Sequence, residues 1–309
     1  MSLTLSAFIE PFFFLTNPSK RLFWMHLVGS FLLVLLFIKF RGREINFRTL
    51  RRLFLRKEYW WNRSTKIDYA LLFLNSTLKL VVYVPLIGGQ LAIGIAVARF
   101  MHLNLAEAPQ VLVSPLAVTM SFTLVAFVFD DFTRFAVHRL MHLSPLLWRF
   151  HRIHHSATTL TPITVFRTHP VESLINYCRA SFSLGVISGL FIWSFGQNLQ
   201  VWDILGVNAL GFLFSLLGSN LRHSHIPLSF GLLERWLVSP AQHQLHHSVN
   251  HRHCNLGSFL SIWDRMSGTH IYGEQAVSLR FGLSGTGTEY LSEGRAAFPK
   301  DTLHSHSLS

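Results

Sequence analysis

Long apolar blocks, separated by short polar ones, set the organisation of this chain. Leu22 to Phe40 is apolar apart from His26 and Lys39, and about 20 such residues cross a bilayer as a helix. Arg41 to Lys66 follows with nine basic side chains, which places that loop in the cytoplasm by the positive-inside rule. Its Trp60-Trp61 pair suits an interface anchor. Ile67 to Ile87 is a second span, with Pro85-Leu-Ile-Gly-Gly as its exit to the far side. Gln90 to Gln110 reads as a far-side or half-inserted helix, because a full span there would break the parity of the later spans. Ser114 to Val137 returns to the cytoplasm, and Ser173 to Phe195 goes out. Gly196-Gln197-Asn198 is a turn, and Leu199 to Leu221 comes back. The expected architecture is all-α, an integral membrane helical bundle of about four to five spans. Its parts are N-terminal spans and a basic loop over 1–113, a catalytic segment over 114–275 and a loose tail over 276–309.

Composition supports a membrane protein. Half of the 309 residues are hydrophobic, only 14% are charged, and the mean hydropathy is +0.35, against about 25% charged in soluble domains. Met1 to Asn17 has no basic n-region and carries Glu10 and Pro11, so no cleavable signal is expected. The net charge of +12 lies beside apolar spans. It therefore points to anionic lipid headgroups and not to nucleic acid. Two cysteines give no disulfide framework. Cys178 reads as a small hydrophobe, and Cys254 as an odd ligand among imidazoles.

The chemistry lies in the histidines. His138 and His142 are four apart, one helical turn, and share a face. After a break at Ser144-Pro145, His151, His154 and His155 form an HxxHH triplet, and His243, His246 and His247 form a second one about ninety residues on. Neutral imidazole is the commonest metal ligand. Eight imidazoles exceed one ordinary site and suit two ions side by side. Both clusters fall on the same face as the arginine-rich loop. His223, in Asn220-Leu-Arg-His-Ser-His, is expected to complete the set, with His225 as the other candidate.

Other groups read differently. His169 suits a supporting or helix-capping role, His251 and His253 a loop surface, and His26 and His102 structural or interfacial places; His304 and His306 lie in the tail. Asp131 stands seven residues before His138 on the same face, and with Glu172 and Asp264 is a candidate to accept from a ligand ring. Capping, or pairing with Arg134, is the competing role for Asp130 and Asp131.

From Asp131 to Thr269 the chain resembles the fatty acid hydroxylase superfamily, the membrane di-iron group of sterol desaturases, sterol C4-methyl oxidases and alkylglycerol monooxygenase. The residues that carry the likeness are His138/His142, His151/His154/His155, Arg167-Thr-His-Pro-Val-Glu172 and His223-Ser-His225. Ser239-Pro-Ala-Gln-His243-Gln-Leu-His246-His247, Asn255-Leu-Gly257, Trp263-Asp264 and Gly268-Thr269 complete it. Two departures are His225, where many relatives have Asn, and Arg252 to Asn255, which lacks their acidic residue and tyrosine. The resemblance implies spans under a cytosolic histidine-rich cap, a pair of iron ions, and electrons from a separate donor protein.

An all-histidine site leaves two divalent ions much of their charge. With iron this permits dioxygen activation and attack on an unactivated C–H bond; with zinc as a substitute it gives a Lewis acid and an activated water. The leading expectation is an oxygen-dependent lipid hydroxylase, desaturase or monooxygenase of a bacterial inner membrane or the endoplasmic reticulum. It acts at the cytoplasmic ends of the spans, with His138, His142, His151, His154, His155, His243, His246 and His247 as the catalytic set. A dizinc hydrolase or lyase is the alternative. A metal-sensing or structural membrane protein is the non-enzymatic one.

Overall fold

The computed structural model of the protein describes residues 3–105, 113–196, 203–204, 207–275 and 279–283. The expected turn at 197–198 and the tail beyond 283 lie outside the described residues. The fold is helical, and three helices are long and apolar enough to cross a membrane: Arg63–Asn104, Pro115–Leu143 and Pro170–Phe195.

The first of these departs from the expected topology. It comprises α3 (Arg63–Leu78), a π-helical turn at Lys79–Tyr83, a short helical piece Val84–Ile87 and α4 (Gln90–Asn104). It starts in a capping box: the Thr65 amide donates to Asn62 Oδ1 (3.1 Å), and the Asn62 amide to Thr65 Oγ1 (3.0 Å). Pro85 to Gly89 was the expected exit, yet the chain does not reverse there. Asn75 Nδ2 donates to Thr168 O (2.8 Å), Tyr83 Oη to Pro170 O (2.9 Å) and Tyr177 Oη to Gly88 O. Further along, a Cβ on Gly189 would lie 2.6 Å from both Gly94 O and Val97 Cβ. These contacts advance along both chains together, so α3 and α4 run parallel to α7 (Pro170–Phe195). Gly88, at φ +72°, puts a hitch in the rod without reversing it.

α5 (Pro115–Leu143) returns antiparallel to α7, with Phe122 against Phe191 (ring centroids 5.1 Å) and Asp130 bonded to Arg179 (2.7 Å). The N-terminal apolar block forms α1 (Trp24–Phe40), only 17 residues long. The expected fifth span, Leu199 to Leu221, is not one helix. Its described part is a hairpin pairing Asp203–Ile204 with Val207–Asn208, then α8 (Ala209–Leu216). Asn208 starts α8 late, its Oδ1 accepting from the Leu210 and Gly211 amides. Gly218, at φ +94°, follows it.

The arginine-rich segment contains α2 (Phe47–Phe54) and packs on the histidine-bearing end of the bundle. Tyr59 Oη donates to Leu160 O (2.8 Å), and the Thr158 amide to Ser64 Oγ (3.2 Å). Beneath it lies a buried ion pair: Arg167 Nη1 meets Asp68 Oδ1 at 2.9 Å, and Nε reaches Ile153 O at 3.0 Å. That pair ties α3 to α6 (Pro145–His155), which carries the first triplet.

Candidate metal centre

Three helices end on one spot. His142 lies in the last turn of α5, His154 and His155 in that of α6, and His246 and His247 in that of α9 (Pro240–His247). Helix C-termini carry partial negative charge and favour cations. Sequence fixes these ends locally. Ser144 separates α5 from α6: its extended backbone (ψ 119°) breaks the helix, and its Oγ accepts from the Leu147 amide. Pro145 then occupies the first helical position. Ser239 and Pro240 do the same for α9, where Ser239 Oγ accepts from the Gln242 amide (3.1 Å) and Gln242 Oε1 from the Ser239 amide (3.1 Å).

The nine expected histidines converge and divide into two groups. His138, His142, His151, His155 and His246 form one; His154, His223, His243 and His247 form the other; in each, the candidate ligand atoms lie within 4.8 Å of one another. Each triplet gives its i and i+4 members to one group and its middle histidine to the other. The groups therefore share a wall, with the rings of His155 and His247 stacked 4.7 Å apart.

Hydrogen bonds fix several tautomers. The Nδ1 atoms of His138, His154 and His246 meet the carbonyls of Leu256 (2.7 Å), Arg167 (3.2 Å) and Cys254 (2.9 Å), and His151 Nδ1 meets Glu172 Oε1 (2.8 Å). A carbonyl only accepts, so Nδ1 carries the hydrogen; the Glu172 carboxylate imposes the same on His151. Nε2 of each neutral ring is then a lone pair. Yet His138 Nε2 lies 3.2 Å from His151 Nε2, and His154 Nε2 3.3 Å from His223 Nε2. His223, His243 and His247 bring three Nε2 atoms within 3.1–3.2 Å of each other. Facing lone pairs repel unless a cation sits between them. His155 Nε2, His246 Nε2 and both nitrogens of His142 are buried with no protein partner. Each such orphan costs about 1–3 kcal/mol if unsatisfied, and a divalent ion would satisfy one nitrogen of each of these rings together. The residues fit a pair of metal ions on this ground.

Burial keeps the rings neutral. It pushes the proton affinities of His151 and His154 down to about 3. It also holds His155, His223, His243, His246 and His247 well below the usual imidazole range, and neighbouring imidazoles add to the depression.

Residues 123–269 match the family model described as fatty acid hydroxylase. This segment belongs to the fatty acid hydroxylase family. The ornithine lipid hydroxylase of Rhizobium tropici is 28% identical over 172 residues, 54% of this chain and 47% of that protein. Human alkylglycerol monooxygenase is 29% identical over 147 residues, 47% of this chain and 29% of that protein. The Delta(7)-sterol 5(6)-desaturase of Gibberella zeae is 26% identical over 151 residues, 48% of this chain and 41% of that protein. The matches thus span less than half the length of these curated relatives. No solved structure matches the chain.

The matched segment, residues 123–269, holds all nine converging histidines and most of the groups that orient them. Of the three acids offered as ring partners, only Glu172 bonds a histidine directly. Asp131 instead accepts from the amides of Phe259 (2.8 Å) and Leu260 (3.0 Å) and from Trp263 Nε1 (2.9 Å). It faces a loop, not the rings, and does not ion-pair with Arg134. That arginine goes to Asp130 at 2.7 Å. Asp264 acts through the backbone, accepting from the Leu256 (2.7 Å) and Gly257 (2.8 Å) amides and so steadying the carbonyl that His138 uses.

His225 stands outside both groups, edge-on to Tyr59 with ring centroids 4.5 Å apart. His169 caps α7, its Nδ1 accepting from the Val171 amide (3.1 Å). His251 bonds Ser248 Oγ, and His253 is exposed. Cys254 contributes its carbonyl; burial pushes its thiol up to about 12. Sequence reasoning missed Glu234, fully buried, whose Oε1 accepts from Ser239 Oγ (2.6 Å) and anchors the start of α9.

Proposed function

We propose that the protein is a membrane-bound di-iron oxidoreductase that uses O2 to hydroxylate or desaturate a C–H bond of a lipid, with electrons from a separate donor protein. The observation that carries this reading is the pair of adjoining all-histidine groups, five and four strong. In each, candidate ligand nitrogens converge, and four of the nine rings, His138, His151, His154 and His246, have their Nδ1 hydrogen committed to a carbonyl or to Glu172. His138, His142, His151, His155 and His246 would hold one ion, and His154, His223, His243 and His247 the other. Bound there, iron would supply dioxygen activation and removal of hydrogen from an unactivated C–H bond. Hydroxylation takes RH, O2, two electrons and two protons to ROH and water.

The chain's own task is to hold nine neutral imidazoles in place. The Glu172 carboxylate and the carbonyls of Arg167, Cys254 and Leu256 present Nε2 inward, and burial keeps bulk water from the rings. The relatives' names, a lipid hydroxylase, an alkylglycerol monooxygenase and a sterol desaturase, agree with oxidation of lipids. The arginine-rich segment at the same end of the bundle favours a cytoplasmic site.

Lipid profiling of cells expressing the protein or its His246→Ala variant, in air and under nitrogen, tests this. A lipid that gains one oxygen or loses two hydrogens is expected only with the unaltered protein in air. Unchanged lipids, or a product formed equally under nitrogen, would overturn it.

A further inference from the structure

The cavity that reaches the histidines is not a plain hydrocarbon slot. It encloses about 490 Å3 and touches both groups, through His138, His151 and His154 and through His223 and His243. Five basic side chains line it, Arg21, Lys79, Arg134, Arg179 and Arg222, against one carboxylate, Glu172. Glu172 is engaged by His151 at 2.8 Å. Arg134 and Arg179 share Asp130, each at 2.7 Å. Among the described residues no carboxylate ion-pairs with Arg21, Lys79 or Arg222. Arg222 is buried and donates to the carbonyls of Ser258 and Val238, which ease its burial without cancelling its charge. Lys79 lies in the π-helical turn of the apolar rod, and π-turns concentrate at functional sites.

Cations at the edge of apolar helices are costly unless something of opposite charge joins them. Burial lowers Arg21 to about 10, and the nearby charge of Arg134 adds to the depression. A neutral lipid would leave that repulsion standing. The same cavity carries apolar wall at Met141, Val165, Phe166 and Ala180.

We propose that this cavity receives an amphiphilic lipid by its anionic head, a carboxylate or a phosphate, held by Arg21, Lys79 and Arg222 beside the two histidine groups. The consequence for catalysis rests on the di-iron reading: the C–H bonds presented are those near the headgroup, not those at the far end of the chain.

Binding separates this claim from the chemistry. Purified protein without added metal, in neutral detergent, is titrated by thermophoresis with palmitate, 1-palmitoylglycerol 3-phosphate and neutral 1-palmitoylglycerol. At least one anionic probe should bind about tenfold or more tighter than the neutral one, as one charge-assisted contact implies; which one is tighter separates carboxylate from phosphate. The Arg21→Gln/Lys79→Gln double variant should lose that preference, with unchanged gel-filtration profile and helical circular dichroism, and Lys79→Arg should keep it. Arg48→Gln/Arg51→Gln, in the exposed basic segment, should keep it too.

Equal binding of all three probes overturns the proposal. So does a preference that survives the Arg21→Gln/Lys79→Gln change, or one lost with Arg48→Gln/Arg51→Gln. If the anionic preference holds but iron-loaded protein with O2 and reductant oxidises neither anionic probe, the di-iron reading is what suffers.

Discussion

Glu172 is the residue on which the first group leans most. It is buried, and its Oε1 holds His151 Nδ1 at 2.8 Å. Removing such a ring partner typically weakens metal binding by about 10–100-fold. Glu172→Gln should therefore lower the affinity of one of two iron sites by that factor in a chelator competition; equal loss at both sites, or none, would contradict the assignment. The rings themselves set a pH dependence. His151 and His154 are pushed to about 3 in the fold, against about 6.5 in an unfolded chain. Between those values the unfolded chain binds more protons, so stability falls as pH drops from about 6.5 towards 3, and is flat above 7. Melting temperatures of metal-free protein across that range should fall with acidification, and a rise would contradict the neutral-ring account. The converging histidines were legible because spacing at i, i+3 and i+4 puts rings on one helical face. The groups that orient them were mostly not. Three of the four are backbone carbonyls, which leave no trace in residue identity; the fourth, Glu172, was among the acids the sequence offered.

At the scale of elements, the triplets are legible as helices with capped starts at Ser144 and Ser239. Their division between two groups is not, because it depends on how α6 and α9 cross. Asp131 shows the same limit: its spacing placed it on the face of His138, but its oxygens belong to the loop at Phe259–Trp263. Asp131→Ala would leave two amides and an indole without their acceptor, at about 1–3 kcal/mol each. A large fall in unfolding midpoint is expected, and an unchanged midpoint would show the loop to be held otherwise. The rod is held by small residues. Because Gly189 meets Gly94 O at 2.6 Å from where a Cβ would stand, Gly189→Leu should separate α4 from α7 and lower thermal stability. Close packing of this kind uses small residues in place of a hydrophobic drive. Iron stoichiometry in the folded fraction should be unchanged, since the histidines lie at the other end of α7.

Over the whole molecule, the apolar blocks announce a membrane bundle and the basic block marks the histidine-bearing end. What hydropathy alone misjudged is continuity. A Gly-Gly pair that reads as the exit of a span is a hitch in a 42-residue rod, and a long apolar run at 199–221 yields an eight-residue helix after a polar start at Asn208. Hydropathy averages over a window and is blind to a single capping side chain. The central claim is that two imidazole groups, exchanging the middle residues of their triplets, hold two iron ions side by side. Its most direct test is the metal content of protein purified without oxygen and supplied with iron. The account predicts two iron atoms per chain, about one in a His154→Ala or His246→Ala variant, and none in a variant lacking both histidines. A single metal per chain, or two that persist when both middle histidines are gone, would contradict it.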